Sequence, residues 1–250
     1  MSDLIVEHYS RLLDGLPVGD PWPALAESGF LDLLRGEDEG GAGLALEDLF
    51  PLALATGRRP DAPAVIEAMA ARLVSGEAGE GVDVEALLAG SGVAAPVARA
   101  LAATLTAGLM AGAMERLQEM TVEYASTRRQ FGREIGKFQA IQHQIAVMAE
   151  EAMAARMAAQ GAFVGPALAV SPLRAAAAKA RAGMAAQQVA AIAHAVHGAI
   201  GVSQEHPLHL LTRKLHHWRL ASGGEAYWAR RLGDWALAGT DEFVGLARSL

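Results

Sequence analysis

The sequence has no cysteine, which excludes disulfides, thiolate nucleophiles and Cys-ligated metals. Aromatic residues make up only 5%, and no run alternates Val, Ile, Thr or Tyr with polar residues, so strands are not expected. Basic residues are in the minority, 21 Lys and Arg against 28 Asp and Glu, for a net charge of −7. Such a chain has no overall field to draw nucleic acid or anionic lipid. The N-terminus, MSDLIVEHYSRLL, has no basic stretch leading into an apolar block, so no signal peptide is expected. A cytoplasmic location is expected.

Several catalytic motifs are missing as well. There is no HExxH and no Gly-x-Ser-x-Gly elbow. The Gly-rich passage GEDEGGAGL follows no strand and precedes no Lys-Ser/Thr, so it is not a phosphate loop. His206, His209, His216 and His217 cluster in HPLHLLTRKLHHW. His209 and His216 share a helix face, but Arg213 and Lys214 lie between them and no third ligand is evident, so no metal is expected.

What is present is alanine, leucine and helical periodicity. The 250 residues are 52% hydrophobic, enough for one large core or two modest ones. The fold class expected is all-α. A shortened N-terminal helical region, 1–75, carries patterns at 3–14, 22–35, 44–56 and 62–75. A Gly-rich acidic link, 76–94, has little to bury and room for one short helix at most. A bundle of four to five long helices fills 95–250. Its helices are read as running from about Ala95 to Arg128, Lys137 to Ala162, Pro172 to His197 with Ser171 as N-cap, Pro207 to Ala221, and Glu225 to Leu237. Residues 93–114 are long and apolar enough to span a bilayer. Arg99, Pro96 and the excess of alanine favour a buried helix instead, with Gly108 and Gly112 allowing close approach of a neighbour.

The stretch with the most chemistry is YASTRRQFGREIGKFQAIQ, Tyr124 to Gln142. A plain helix corner needs a stop and a cap. This one adds Arg128, whose planar fork suits a diphosphate. It also adds the amide of Gln130, a Phe131-Gly132 turn and a Phe138-Gln139 pair before a helix N-terminus, where anions are favoured. The bland alternative is a charged corner with a buried phenylalanine.

This pattern resembles the C-terminal helical domain of the acyl-CoA dehydrogenase family. The passage GFLDLL…GGAGL similarly resembles that family's first domain. The resemblance implies that Arg128, Gln130, Phe131, Phe138 and Gln139 touch the FAD of a neighbouring subunit. HGAIGVSQEHP, residues 197–207, resembles the family's Gly-Gly-x-Gly segment against the FAD adenosine half. Gly198 and Gly201 are kept there, whereas Ala199 replaces the second glycine and Ala195 the usual upstream glutamine. The bland alternative is that both glycines merely end one helix and start the next.

The family needs a carboxylate to take a proton alpha to a thioester. Counted through Arg213, its usual glutamate position falls on Ser222; the minority position, counted back from Arg128, falls on Ala102. No catalytic residue is therefore assigned, with Glu225 the one conceivable relocated base. No β-barrel domain is expected, although the family's full-length members carry one between their helical domains. The resemblance thus implies a subunit that is catalytically deficient alone. It would contribute to the FAD site and oligomer of a full-length acyl-CoA dehydrogenase partner, or associate with itself. Two alternatives stay open: a homo-oligomeric binding protein that has lost flavin, and an active dehydrogenase using Glu225.

Overall fold

The structure is a computed structural model and describes residues 3–75 and 83–238. In chain order its helices are α1 (Asp3–Asp14), α2 (Trp22–Glu27), α3 (Leu46–Gly57), α4 (Val65–Ser75) and α5 (Val84–Gly90). They continue with α6 (Ala95–Thr127), α7 (Gln139–Ala162), α8 (Pro172–His197), α9 (Leu208–Leu220) and α10 (Glu225–Ala238). Among the described residues the only strands are β1 (Arg129–Gln130) and β2 (Arg133–Glu134). Among the described residues the fold is all-α, with no barrel.

α6 is the axis of the molecule. It packs against α7, α8, α3, α5 and α9, and α8 in turn packs against α7, α9 and α10. Residues 100–114 of α6 are buried without interruption. That all-round burial explains why the segment looked like a membrane span: a helix enclosed by neighbours needs no polar face. Long helices joined by short links form the bundle, and Ser171 caps α8 by accepting from the Arg174 N–H at 3.4 Å.

The N-terminal helices join this bundle through close backbone contact. Gly57 of α3 faces the Leu109 carbonyl of α6, and Gly112 of α6 faces the Leu54 carbonyl of α3. A Cβ at either position would run into backbone, so both glycines are required by packing. Gly108 lies against Phe163 and Ala53. One continuous apolar core then runs from Tyr9 and Leu13 through Leu52 and Met69 to Leu211 and Leu215. Within it the Tyr9 hydroxyl donates to Thr56 Oγ1 at 2.6 Å, while Thr56 donates to the Leu52 carbonyl at 2.9 Å. Burial pushes the Tyr9 hydroxyl well above the usual phenol range.

The structure departs from the sequence reading in three places. The helix expected over 22–35 stops at Glu27, because Gly29 takes φ 75° and the Ser28 hydroxyl bonds Leu25 O and Phe30 N; a 3-10 turn, Phe30–Asp32, follows. In the link 76–94, residues 76–82 lie outside the described ones, but α5 buries Val84 and Leu88 in the main core. Its N-cap Asp83 and the Arg99–Glu85 ion pair fix it there. The corner after α6, read as a turn between helices, is a two-residue β-hairpin followed by a 3-10 turn, Ile135–Lys137.

Candidate functional site

The hairpin follows directly from its turn residues. Arg129 pairs with Glu134 and Gln130 with Arg133. The two residues between them, Phe131 at φ 51° and Gly132 at φ 84°, are both left-handed, as the tightest hairpin turns demand. Glycine does this freely, whereas a phenylalanine does so at a cost. Phe131 is also 93% exposed, whereas Phe138 packs against the small core of Ala125, Ile135 and Val196. The two rings meet edge-on, 6.1 Å apart between centroids.

The charges at this tip divide into used and unused. Arg129 pairs with Glu134, Lys137 pairs with Glu134, and Arg133 lies 4.2 Å over the Phe138 ring. Arg128 and Gln130 are exposed, and among the described residues their side chains make no hydrogen bond or ion pair. Gln139 opens α7 and is exposed as well, while Phe138 is half-buried as that helix's N-cap residue.

Gly198 and Gly201 belong to the same end of the bundle. Tyr124 stacks on His197 at 4.5 Å, and His197 meets His206 at 4.9 Å. Val196 packs with Ala125 and Ile135 under the hairpin. Gly198 ends α8 at φ 63° and is exposed; Gly201 is buried, where a Cβ would sit 2.8 Å from Leu208 and 3.0 Å from His197. The packing role therefore accounts for Gly201, and helix termination accounts for Gly198. His197 Nδ1 donates to the Ala193 carbonyl at 2.8 Å, which leaves Nε2 as a lone-pair acceptor, buried and without a partner. Burial keeps this imidazole below its ordinary pKa.

Ala102 of α6 and Ser222, the residues the resemblance would put at the base positions, both line a cavity of about 480 Å³. Ser222 sits at φ 54° in the α9–α10 turn, followed by Gly223 at φ 96°. That turn is pinned: Trp228 Nε1 donates to Ser222 O at 3.1 Å, and Lys179 Nζ donates to Arg219 O and Gly223 O at 2.9 and 3.1 Å. Lys179 is fully buried, and desolvation brings its pKa down to about 8. Glu225 is held by Arg219, whose Nε donates to both carboxylate oxygens at 3.1 and 3.0 Å. That pairing pulls its pKa down, the wrong direction for a proton acceptor.

The same cavity has a lining residue that sequence reasoning missed. Glu67 of α4 contributes to its wall, and its Oε2 is shut off from solvent with no hydrogen-bond partner. Burial raises its pKa. The only signal in the sequence was one acid among apolar residues in VIEAMAARLV, which equally describes the solvent face of a helix.

The described residues thus form a helical bundle with an exposed hairpin at one end and a cavity at the wall of α6 and the α9–α10 turn. The profile of the acyl-CoA dehydrogenase C-terminal domain matches residues 90–237, more than half of the sequence, and the chain belongs to the acyl-CoA dehydrogenase family. It is 39% identical over 102 residues to acyl-CoA dehydrogenase IpdE2 of Mycobacterium tuberculosis, a match covering 41% of this chain and 31% of that protein. It is 34% identical over 105 residues to 3-sulfinopropanoyl-CoA desulfinase of Paraburkholderia xenovorans, covering 42% and 27%. The matches thus span less than a third of these curated relatives. In fold it resembles a chain of the ChsE4–ChsE5 complex from Mycobacterium tuberculosis, with TM-score 0.74, 19% identity, and coverage of 97% of this chain and 99% of that one. Glutaryl-coenzyme A dehydrogenase in its glutaryl-CoA complex aligns with TM-score 0.52 and 28% identity over 57% of this chain and 37% of that one.

Proposed function

We propose that this chain is a subunit of a hetero-oligomeric acyl-CoA dehydrogenase, catalytically deficient alone, that lends its hairpin to the FAD held mainly by a full-length cytoplasmic partner. The observation that carries the reading is the contrast between its two ends. Among the described residues the hairpin keeps an unpaired Arg128, an unpaired Gln130 and an exposed, strained Phe131. The cavity is lined by Ala102 and Ser222, the residues that the family resemblance puts at the base positions.

The residues at the hairpin fit one part of the cofactor. Arg128 offers a bidentate fork for a diphosphate, Gln130 a neutral amide, and Phe131 an apolar surface that has no use within the chain. His197 Nε2 is an acceptor without a donor at the same end. Bound FAD would supply the hydride acceptor for acyl-CoA α,β-oxidation. This chain's residues would hold the dinucleotide and close the subunit interface. The chain that resembles this one over nearly its whole length comes from the ChsE4–ChsE5 complex, which supports a partnered role.

Co-expression with a full-length family member, followed by a flavin count per chain, tests this. We expect a stable complex whose flavin content falls at least tenfold on Arg128→Ala, because a charge-assisted bidentate contact is lost, while the complex still forms. Unchanged flavin content would favour a homo-oligomeric binding protein. FAD bound stoichiometrically by the chain alone would overturn the proposal.

A further inference from the structure

The end of the bundle that carries the hairpin is built on histidine rings. His194 and His197 lie in the last turn of α8, His206 just before α9, and His209 in the first turn of α9. His197 is buried between Tyr124 of α6, stacked on it at 4.5 Å, and His206 at 4.9 Å. Beside it Val196 packs on Ala125 and Ile135. The Ile135 N–H in turn closes the base of the hairpin on the Arg128 carbonyl at 2.8 Å.

Hydrogen bonding fixes which nitrogen of each ring is left to take a proton. His197 donates through Nδ1 to the Ala193 carbonyl at 2.8 Å, so its proton would add at Nε2, which is buried without a partner. Thr212 Oγ1 donates to the His209 carbonyl at 3.3 Å, so His194 donates through Nε2 to that hydroxyl at 3.0 Å. A proton on His194 would then add at Nδ1, equally buried and unpartnered. His206 Nδ1 accepts from the Leu208 N–H at 3.3 Å where α9 begins. A proton there breaks that bond and sets a positive charge at a helix N-terminus. All three rings are seated for the neutral form, and a buried cationic N–H with no acceptor is costly.

We propose that His194, His197 and His206 form an acid-sensitive latch: charging them parts the end of α8 from the start of α9 and frees the base of the hairpin. The ionisable groups that act on the rings leave them little relief. Glu123 of α6 favours charge on His206, whereas His209 and His216 of α9 and the three rings themselves oppose it. Tyr124 offers His197 a ring face, and α7 adds Ile141 and Ile145 to the adjoining cluster. Burial is the largest cause holding all three below the ordinary histidine value of 6.5. The opened junction therefore binds protons that the closed one refuses. Closure is complete above pH 6.5 and weakens as pH falls from 6.5 to the folded values. The latch belongs to this chain and needs neither flavin nor a partner. Its consequence for a partner's cofactor, release of Arg128 and Gln130 in acid, rests on the function proposed above.

Amide hydrogen exchange of the full chain, read by NMR from pH 7.5 to 5.5 and corrected for intrinsic exchange, tests the latch. We expect the opening constant at the Ile135 amide to rise at least tenfold, since each ring that charges only in the open state adds up to about tenfold one pH unit below its unfolded value. The Arg58 amide, bonded to the Leu54 carbonyl in α3, should change little. His197→Phe keeps a ring on Tyr124 but has no basic nitrogen, and should cut the rise severalfold. Should that variant not fold, His206→Asn serves, because its amide oxygen still accepts from the Leu208 N–H without titrating. The proposal is overturned by an Ile135 amide whose opening ignores pH, by an equal rise at Arg58, or by a rise undiminished in the folded variants.

Discussion

Ala102 of α6 and Ser222 of the α9–α10 turn line one cavity. These are the two residues that the family resemblance puts at the base positions, and neither is a carboxylate. A serine hydroxyl at φ 54° and a methyl group cannot hold a proton from a CH acid near neutral pH. The four predictions below follow from this geometry and from the packing around it.

Glu225 is a structural acid. Its carboxylate is gripped by Arg219, so Glu225→Gln should lower stability by about 1 kcal/mol, as for a partly exposed bidentate pair. The flavin content and turnover of a co-expressed complex should not change. The folded pKa is depressed below 4.5, so the wild-type advantage should be full above pH 4.5 and vanish as pH falls through the folded value. Urea melts at several pH values measure this; a loss of turnover without loss of stability would restore Glu225 as a base.

Glu67 should show the opposite pH dependence. Its folded pKa is raised above 4.5 by burial, so the folded state holds the proton more tightly than the unfolded state. Stability should therefore fall as pH rises from 4.5 to the folded pKa, then level off. Glu67→Gln should remove this slope, which makes the variant relatively more stable at the upper end of the window. Parallel urea titrations of both proteins check it, and identical pH profiles would contradict the burial argument.

Gly57 and Gly112 should tolerate no side chain. Alanine at either position meets a carbonyl of the facing helix, and such overpacking costs about 1–3 kcal/mol or more. Thermal unfolding should show a clear drop in Tm for both Gly57→Ala and Gly112→Ala. The nearby Gly90, whose added Cβ would meet nothing within 4 Å, should accept alanine with little change.

Phe131→Gly should separate function from stability. The wild-type ring is 93% exposed at φ 51°, so glycine removes strain and almost no packing. The Tm of the isolated chain should hold or rise slightly. Flavin retention in the co-expressed complex should fall severalfold, because an exposed aromatic at a subunit contact is lost. A fall in Tm with flavin retention intact would reverse the assignment.

Much of this protein was legible in its sequence. The periodicity of α6 to α10, the Ser171 cap and the close-packing glycines of α6 are local signals, and each has one low-energy outcome. The residues of the hairpin were legible too, though not its form. Phe131-Gly132 reads as a generic turn, and only the pairing of Arg129 with Glu134 reveals that both residues take left-handed φ. The helix expected over 22–35 failed for a related reason: apolar spacing continued past Gly29, but the backbone did not.

What the sequence alone determined is the helical content and the family, because these depend on residue type and near-neighbour spacing. Tertiary structure decided the rest. It brought Ala102, Ser222 and Glu67 onto one cavity from α6, the α9–α10 turn and α4, and it tied up Glu225 with Arg219 while leaving Arg128 without a partner among the described residues. Such contacts join residues far apart in the chain, and whether a charge is paired, buried or open is set by what packs against it.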